Sequence, residues 1–213
     1  MNWMKKVAVA LVCLLPLGLQ AAKVDTLQVK SPSMNKSIEV VVVSPDVAAT
    51  KVCPVIYLLH GYGGNACTWV GIKPDLPKIA DEKGIFFVCP DGKNTWYWDS
   101  PLNADVRYET FISDELVKYV DSHYKTVVDR KGRAITGLSM GGHGAMWNGL
   151  RHSDVFSAAG STSGGVDIRP FPKNWEMSVQ IGEKAKYPEN WEKYTVINLV
   201  PTLRKDQIAL IFD

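Results

Sequence analysis

Residues 133–145 read RAITGLSMGGHGA, and this stretch decides the fold. A strand-like segment, Arg133 to Thr136, runs directly into Gly137-Leu138-Ser139-Met140-Gly141, and a helical segment, Gly142 to Arg151, follows. A G-x-S-x-G pattern between a strand and a helix is typical of a nucleophile elbow, a tight turn with a serine at its tip. The sequence therefore predicts a strained, exposed Ser139. The alternative is an ordinary serine in a glycine-rich turn.

A second glycine-rich loop, His60-Gly61-Tyr62-Gly63-Gly64, follows an almost wholly apolar segment that ends at Leu59. Loops of this type supply one main-chain N–H to an oxyanion hole, and the residue after the nucleophile supplies the other. We therefore expect the Met140 and Tyr62 N–H groups to be the two donors, with Gly61 as the alternative to Tyr62. We interpret His60 as a structural residue that holds this loop by hydrogen bonds.

Three aromatic residues, Trp96-Tyr97-Trp98, lie in a third loop, Asp91 to Ser100. They could form the wall of an apolar or sugar-stacking pocket, or they could simply cap the core. On the first interpretation Trp96 and Trp98 contact the substrate. The polar stretch Asp167 to Glu192 is where a lid over the site would be inserted.

Short apolar segments alternate with helical ones along the rest of the chain. The predicted strands are Ile38–Val43, Val52–Leu59, Ile85–Cys89, Arg133–Thr136 and Ile208–Phe212, and the predicted helices are Phe111–Tyr124 and Gly142–Arg151. Strands separated by helices predict an α/β fold, with a mainly parallel sheet flanked by helices on both sides. The reactive loops of such sheets lie at the carboxyl ends of the strands.

The amino terminus has the features of a secretory signal peptide. Lys5 and Lys6 precede an apolar run of 13 residues, Val7 to Leu19, and Ala21-Ala22 offers small residues for cleavage. The run is shorter than the roughly 20 residues of a membrane-spanning helix, so we expect no stable membrane anchor. We predict a signal peptide at residues 1–22, a single domain at residues 23–213, and a secreted or periplasmic location.

Charge and cysteine content exclude several classes of function. Removal of residues 1–22 takes away two lysines and no acid, which leaves 22 basic and 22 acidic residues and no basic patch for nucleic acid. Three cysteines, Cys53, Cys67 and Cys89, would remain without metal-site spacing, and their pairing stays open. We predict no cofactor and no metal, since neither a metal cluster nor a nucleotide-binding loop is present.

Several of these stretches together resemble the esterase D-like putative esterase family, which includes S-formylglutathione hydrolases, feruloyl esterases and mycolyltransferases. The similar segments are YLLHGYGGN (57–65), WYWDSP (96–101), YETFISDEL (108–116), RAITGLSMGGHGA (133–145) and AAGSTSGGVD (158–167). The resemblance runs through nearly the whole chain after residue 22. It implies an α/β-hydrolase fold and a Ser-His-Asp triad.

The chain departs from this pattern after the nucleophile. Only His143 and His152 follow Ser139, both on the succeeding helix, from which neither can turn back over the serine. Asp213 directly follows the last predicted strand and resembles the family's acid only by position. The sequence therefore predicts a domain truncated at its carboxyl end, without the terminal strand, helix and triad histidine, and with little or no activity as it stands.

The main functional hypothesis is an exported serine ester hydrolase that acts through an acyl-enzyme on Ser139. Carbohydrate-linked or other small acyl esters are the expected substrates, because glutathione thioester chemistry belongs in the cytosol. One alternative is an acyltransferase that uses the same intermediate. Another is a non-catalytic glycan-binding module on a hydrolase scaffold. The sequence does not indicate an oligomeric state.

Overall fold

The computed structural model describes residues 22–213, so residues 1–21 of the expected signal peptide lie outside the described part of the chain. Residues 22–213 form one sheet of seven strands. The strands are β1 (Lys23–Ser31), β2 (Lys36–Ser44), β3 (Val55–Leu59), β4 (Phe86–Pro90), β5 (Arg133–Gly137), β6 (Ala158–Ser161) and β7 (Ala209–Phe212). Over the same range, no helix is long and apolar enough to cross a membrane.

The sheet is mixed, with a parallel majority. Its strand order is β1-β2-β4-β3-β5-β6-β7, and the strands from β4 through β7 in that order run parallel. Strands β1 and β2 form an antiparallel pair, and β2 is also antiparallel to β4. The expected mainly parallel sheet flanked by helices is confirmed. Strand β7 is at one edge of the sheet, where Ile211 and Phe212 are each 73% exposed.

The sequence does not predict two of the strands, and two others, β3 and β7, are shorter than expected. Strand β1 is polar and lies at the outer edge of the sheet, which its charged residues suit. Strand β6 reads Ala-Ala-Gly-Ser, with none of the β-branched residues typical of strands. Strand β3 begins at Val55 rather than Val52, because Pro54 has no N–H to donate to a neighbouring strand.

Helices cover both faces of the sheet. They are α1 (Thr68–Ile72), α2 (Leu76–Lys83), α3 (Tyr108–Thr110), α4 (Leu116–His123), α5 (Met140–Arg151), α6 (Met177–Ile181) and α7 (Pro188–Lys193). A π-helical turn, Phe111–Glu115, joins α3 to α4, so that helical backbone begins three residues before the expected position. Helix α5 begins at Met140, two residues earlier than expected, and is buried from its first residue to Leu150.

The parallel strands bring the loops of interest to one edge of the sheet. The loops that follow β3, β4, β5 and β6 all leave the carboxyl ends of adjacent parallel strands. Ligands of open α/β sheets bind outside these ends. The first three loops are the two glycine-rich loops and the aromatic loop that the sequence singled out.

Candidate active site

Ser139 lies at the tip of the turn between β5 and α5, and its side chain is exposed. Its backbone has a φ of 55° and a ψ of −115°, a conformation that is unfavourable for a residue with a Cβ and must be held by its surroundings. Gly137 and Gly141 allow the turn to close: a Cβ added to Gly137 would overlap the Gly141 carbonyl, and one added to Gly141 would overlap the Leu59 carbonyl. The turn therefore has the geometry of a nucleophile elbow.

Two main-chain N–H groups beside Ser139 have no acceptor among residues 22–213. One belongs to Met140, the first residue of α5, where a helix provides no partner. The other belongs to Tyr62, whereas the N–H of the next residue, Gly63, donates to a side-chain amide oxygen at 2.9 Å. The two loops touch, since a Cβ on Gly61 would lie 3.6 Å from the Ser139 Cβ. Free amides at this place could receive an oxyanion.

His60 supports the Tyr62 loop from inside the protein. Its side chain is buried, and the Gly92 N–H donates to its Nε2 at 2.9 Å. Because Nε2 accepts, Nδ1 carries the proton and donates to the Gly61 carbonyl at 2.7 Å. The Tyr97 hydroxyl donates to the His60 carbonyl at 3.0 Å. These contacts fit the interpretation of His60 as a structural residue.

The aromatic loop divides its two tryptophans between the cavity and the core. Trp96 lines a cavity of about 220 Å³ in front of Ser139. Trp98 lies behind it, fully buried, with the ring centroids of the two tryptophans 5.5 Å apart, and its indole N–H donates to His143 Nε2 at 2.9 Å. The structure therefore places Trp96 in the lining of the cavity, as expected for a substrate contact, and Trp98 in the core behind it.

The opposite wall of the cavity is formed by residues 167–177, which we call the strap. It contributes Phe171 and Trp175, which are 42% and 45% exposed, to the lining. Trp96 Nε1 donates to the Trp175 carbonyl at 3.1 Å and thereby joins the aromatic loop to the strap. Trp96 and Trp175 both have positive φ angles, of 59° and 50°, so two strained segments meet at this hydrogen bond. No pattern in the sequence indicates that these residues contact one another.

The Ser139 hydroxyl has no side-chain hydrogen-bond partner within residues 22–213. This range contains all four histidines of the chain, and none of them hydrogen-bonds the Ser139 hydroxyl. The Asp213 carboxylate accepts the Ser163 N–H at 3.2 Å, two residues beyond the end of β6. The described residues thus place an exposed serine hydroxyl beside two main-chain N–H groups that have no acceptor among residues 22–213.

The mixed sheet, its flanking helices and the serine at the elbow define an α/β-hydrolase fold. Residues 31–210 match the protein family described as "Putative esterase", and the chain belongs to that family. Membership agrees with the family resemblance that the sequence motifs indicated.

Individual relatives include ester hydrolases and an acyltransferase. Esterase MT1326 of Mycobacterium tuberculosis is 28% identical over 149 residues, or 67% of this chain and 32% of that protein. The diacylglycerol acyltransferase/mycolyltransferase Ag85B of Mycobacterium leprae is 31% identical over 178 residues, or 77% of this chain and 51% of that protein. The solved structure of a ferulic acid esterase superposes with a TM-score of 0.69 at 28% identity, covering 88% of this chain and 74% of that one. The chain spans about a third of the length of the first curated relatives it matches.

Proposed function

We propose that this chain belongs to an exported serine ester hydrolase in which Ser139 is the nucleophile. The observation that carries the proposal is the exposed hydroxyl on a strained turn, flanked by the unpaired N–H groups of Met140 and Tyr62. Strain at a functional residue persists only where the surrounding structure imposes it. Glycines at both ends of the turn and the contact with Gly61 impose it here.

The proposed reaction proceeds through an acyl-enzyme. Ser139 Oγ attacks the ester carbonyl carbon and gives up its proton to a base, and the carbonyl oxygen becomes an oxyanion held by the Met140 and Tyr62 N–H groups. Collapse of this intermediate breaks the bond to the alcohol, which leaves with a proton, and water then releases the acid. Loss of one oxyanion donor typically costs about a hundred- to a thousandfold in rate. In this proposal, neither the base nor the acid of a triad is assigned to a described residue.

The cavity favours a small ester with a planar or sugar-like group. Trp96, Phe171 and Trp175 present aromatic surface beside Ser139, and the volume of about 220 Å³ suits a small acyl group or one sugar ring. Similarity to a ferulic acid esterase supports an aromatic or carbohydrate-linked ester. The signal-like sequence at residues 1–22 supports a secreted or periplasmic location.

An acyltransferase is the second candidate, and the 31% identity to a mycolyltransferase favours it. Both reactions share the acyl-enzyme and differ in whether water or a hydroxyl-bearing acceptor takes the acyl group. Product analysis with a sugar acceptor present separates the two. Acylated sugar in excess of free acid would support the transferase.

The experiment tests Ser139 without depending on the missing base. The chain is incubated with a nitrophenyl ester and increasing imidazole, which can act as an exogenous base, and labelling by a fluorophosphonate is followed in parallel. We expect imidazole to accelerate ester hydrolysis and labelling in the wild type but not in Ser139→Ala beyond the buffer rate. Ser122→Ala removes an exposed hydroxyl on helix α4 and serves as the control. Equal rates for wild type and Ser139→Ala would refute the proposal.

A further inference from the structure

His143 is fully buried one helical turn after Ser139, and both of its ring nitrogens are hydrogen-bonded. An indole N–H can only donate, so the bond from Trp98 Nε1 makes His143 Nε2 an acceptor. Nδ1 then carries the proton and donates to the Gly165 carbonyl at 2.7 Å. The environment thus selects a single tautomer. Burial lowers the pKa of His143 to about 4, which keeps the ring neutral near pH 7.

These bonds connect three parts of the candidate site. The main-chain N–H of His143 donates to the Ser139 carbonyl at 3.0 Å, which ties the residue to the elbow. The ring of Trp96, which lines the cavity, packs edge-on against the imidazole with centroids 5.1 Å apart. Gly165, at the other end of the imidazole, lines the same cavity. His143 therefore contacts the elbow through its main chain, and it contacts the aromatic loop and the wall after β6 through its side chain.

The wall after β6 lies close against the start of α5. A Cβ added to Gly164 would stand 2.8 Å from the Gly142 carbonyl carbon and 2.9 Å from the His143 N. The two segments are therefore in close main-chain contact, and the imidazole adds an acceptor toward Trp98 and a donor toward Gly165. An apolar residue of similar size would leave the Trp98 indole N–H and the Gly165 carbonyl without these partners.

We propose that His143 is a positioning residue that sets the distance between Ser139, Trp96 and the wall at residues 163–168. This inference rests on the proposed esterase function, because the wall and Trp96 are assigned to the substrate cavity. His143 does not touch the reacting atoms in the proposal. Its effect is to hold the walls of the cavity at a fixed position relative to the Ser139 hydroxyl. Small displacements of a bound substrate from the reacting group reduce rates strongly.

The test compares His143→Leu with His143→Gln, whose amide carries one donor and one acceptor. His152→Leu is the matched control, because it removes another hydrogen-bonded histidine from the end of the same helix, at its contact with Glu109. Hydrogen exchange is measured for residues 163–168 and for α5. Labelling rates at Ser139 are measured with a compact methyl fluorophosphonate and with an aryl-bearing one, both with imidazole present.

We expect His143→Leu to accelerate exchange at residues 163–168 about tenfold or more while α5 stays protected, and to slow labelling by the aryl probe about tenfold relative to the compact probe. His143→Gln should recover most of both effects, and His152→Leu should show neither. Uniformly faster exchange, or unchanged selectivity with unchanged exchange, would make His143 a core residue only and overturn the inference. If Ser139 of the wild type fails to label, the proposed function fails instead, and the exchange pattern still decides the positioning role.

Discussion

The two sides of the cavity are held in different ways. The nucleophile side, residues 59–64 and 137–141, is fixed by main-chain contacts that only glycine permits, such as that of Gly141 against the Leu59 carbonyl. The strap, residues 167–177, is held by side chains, among them the Trp96 indole that binds the Trp175 carbonyl. The first arrangement should tolerate almost no added atom at Gly137 or Gly141. The second should change gradually as its side chains are varied.

The largest effect should follow from a single methyl group on the nucleophile side. We expect Gly141→Ala to lower the free energy of unfolding by about 3 kcal/mol or more, because the added Cβ overlaps main-chain atoms that cannot move aside. Urea unfolding followed by tryptophan fluorescence measures the loss. Gly71→Ala is the control, since a Cβ there meets nothing within 4 Å, and alanine should stabilise helix α1 by up to about 1 kcal/mol. Similar midpoints for the Gly141 variant and the wild type would contradict this account of the elbow.

The second largest loss of stability should follow from a change at the carboxyl end of helix α5. Glu109 is buried and accepts hydrogen bonds from Trp147, Arg151 and His152, at 2.7 to 2.8 Å. Burial opposes ionisation, but the bonds from His152 and Arg151 hold the pKa of Glu109 below its ordinary value. We expect Glu109→Ala to cost about 2 kcal/mol, because the buried Trp147 indole loses its acceptor. Calorimetric melting measures this loss.

The part of the protein that opens first in Glu109→Ala shows whether Glu109 stabilises helix α5 or the strap. Hydrogen exchange in Glu109→Ala should increase first in α5, with the strap following only as the whole domain opens. Glu109→Gln, which keeps an acceptor, should fall between the wild type and the alanine variant. A loss confined to residues 167–177 would show that Glu109 does not anchor the helix.

The sequence predicts the nucleophile side well for the same reason that this side is rigid. Glycines that allow two main-chain segments to pack closely can be read directly from the sequence. Gly137, Gly141 and the loop at residues 60–64 can therefore be located without coordinates. The sequence also predicts strands β3 and β4, because burial on both faces makes them continuously apolar. Strand β6, which lacks such a run, was not found.

The strap side is much less visible in the sequence, because its contacts join residues far apart in the chain. The bond between Trp96 and Trp175 spans 79 positions, and neither residue lies in a pattern that indicates its partner. Trp96 and Trp98 are the same residue type in the same loop, and the sequence does not distinguish them. The fold places Trp96 in the cavity lining and Trp98 in the core. His143 likewise looks like an ordinary helical residue until both of its nitrogens are traced.

A substitution in the strap should alter binding with little effect on stability. Trp175 is 45% exposed, and its link to Trp96 uses its main-chain carbonyl, which survives Trp175→Ala. We expect the unfolding free energy to change by less than about 0.5 kcal/mol. Under the proposed function, the dissociation constant for ferulate, used as an aromatic acyl probe, should rise about five- to tenfold through loss of aromatic contact. Isothermal titration measures it, with Val179→Ala, an exposed residue just beyond the strap, as control. A stability loss as large as that of Gly141→Ala would remove the contrast between the two sides.

The smallest effect should come from the ion pairs at the base of the strap. Arg169 binds Asp167 at 2.8 Å and Glu192 at 2.7 Å, and its hydrogen bond lowers the pKa of Asp167. A depressed carboxyl pKa stabilises the fold above the unfolded value of about 3.9, and this contribution disappears as the pH falls through the folded value. Arg169→Met should therefore lower the melting temperature slightly at pH 7, by an amount that shrinks toward pH 3 and in high salt. A difference independent of pH and salt would mean that the arginine acts by packing, as the nucleophile side does.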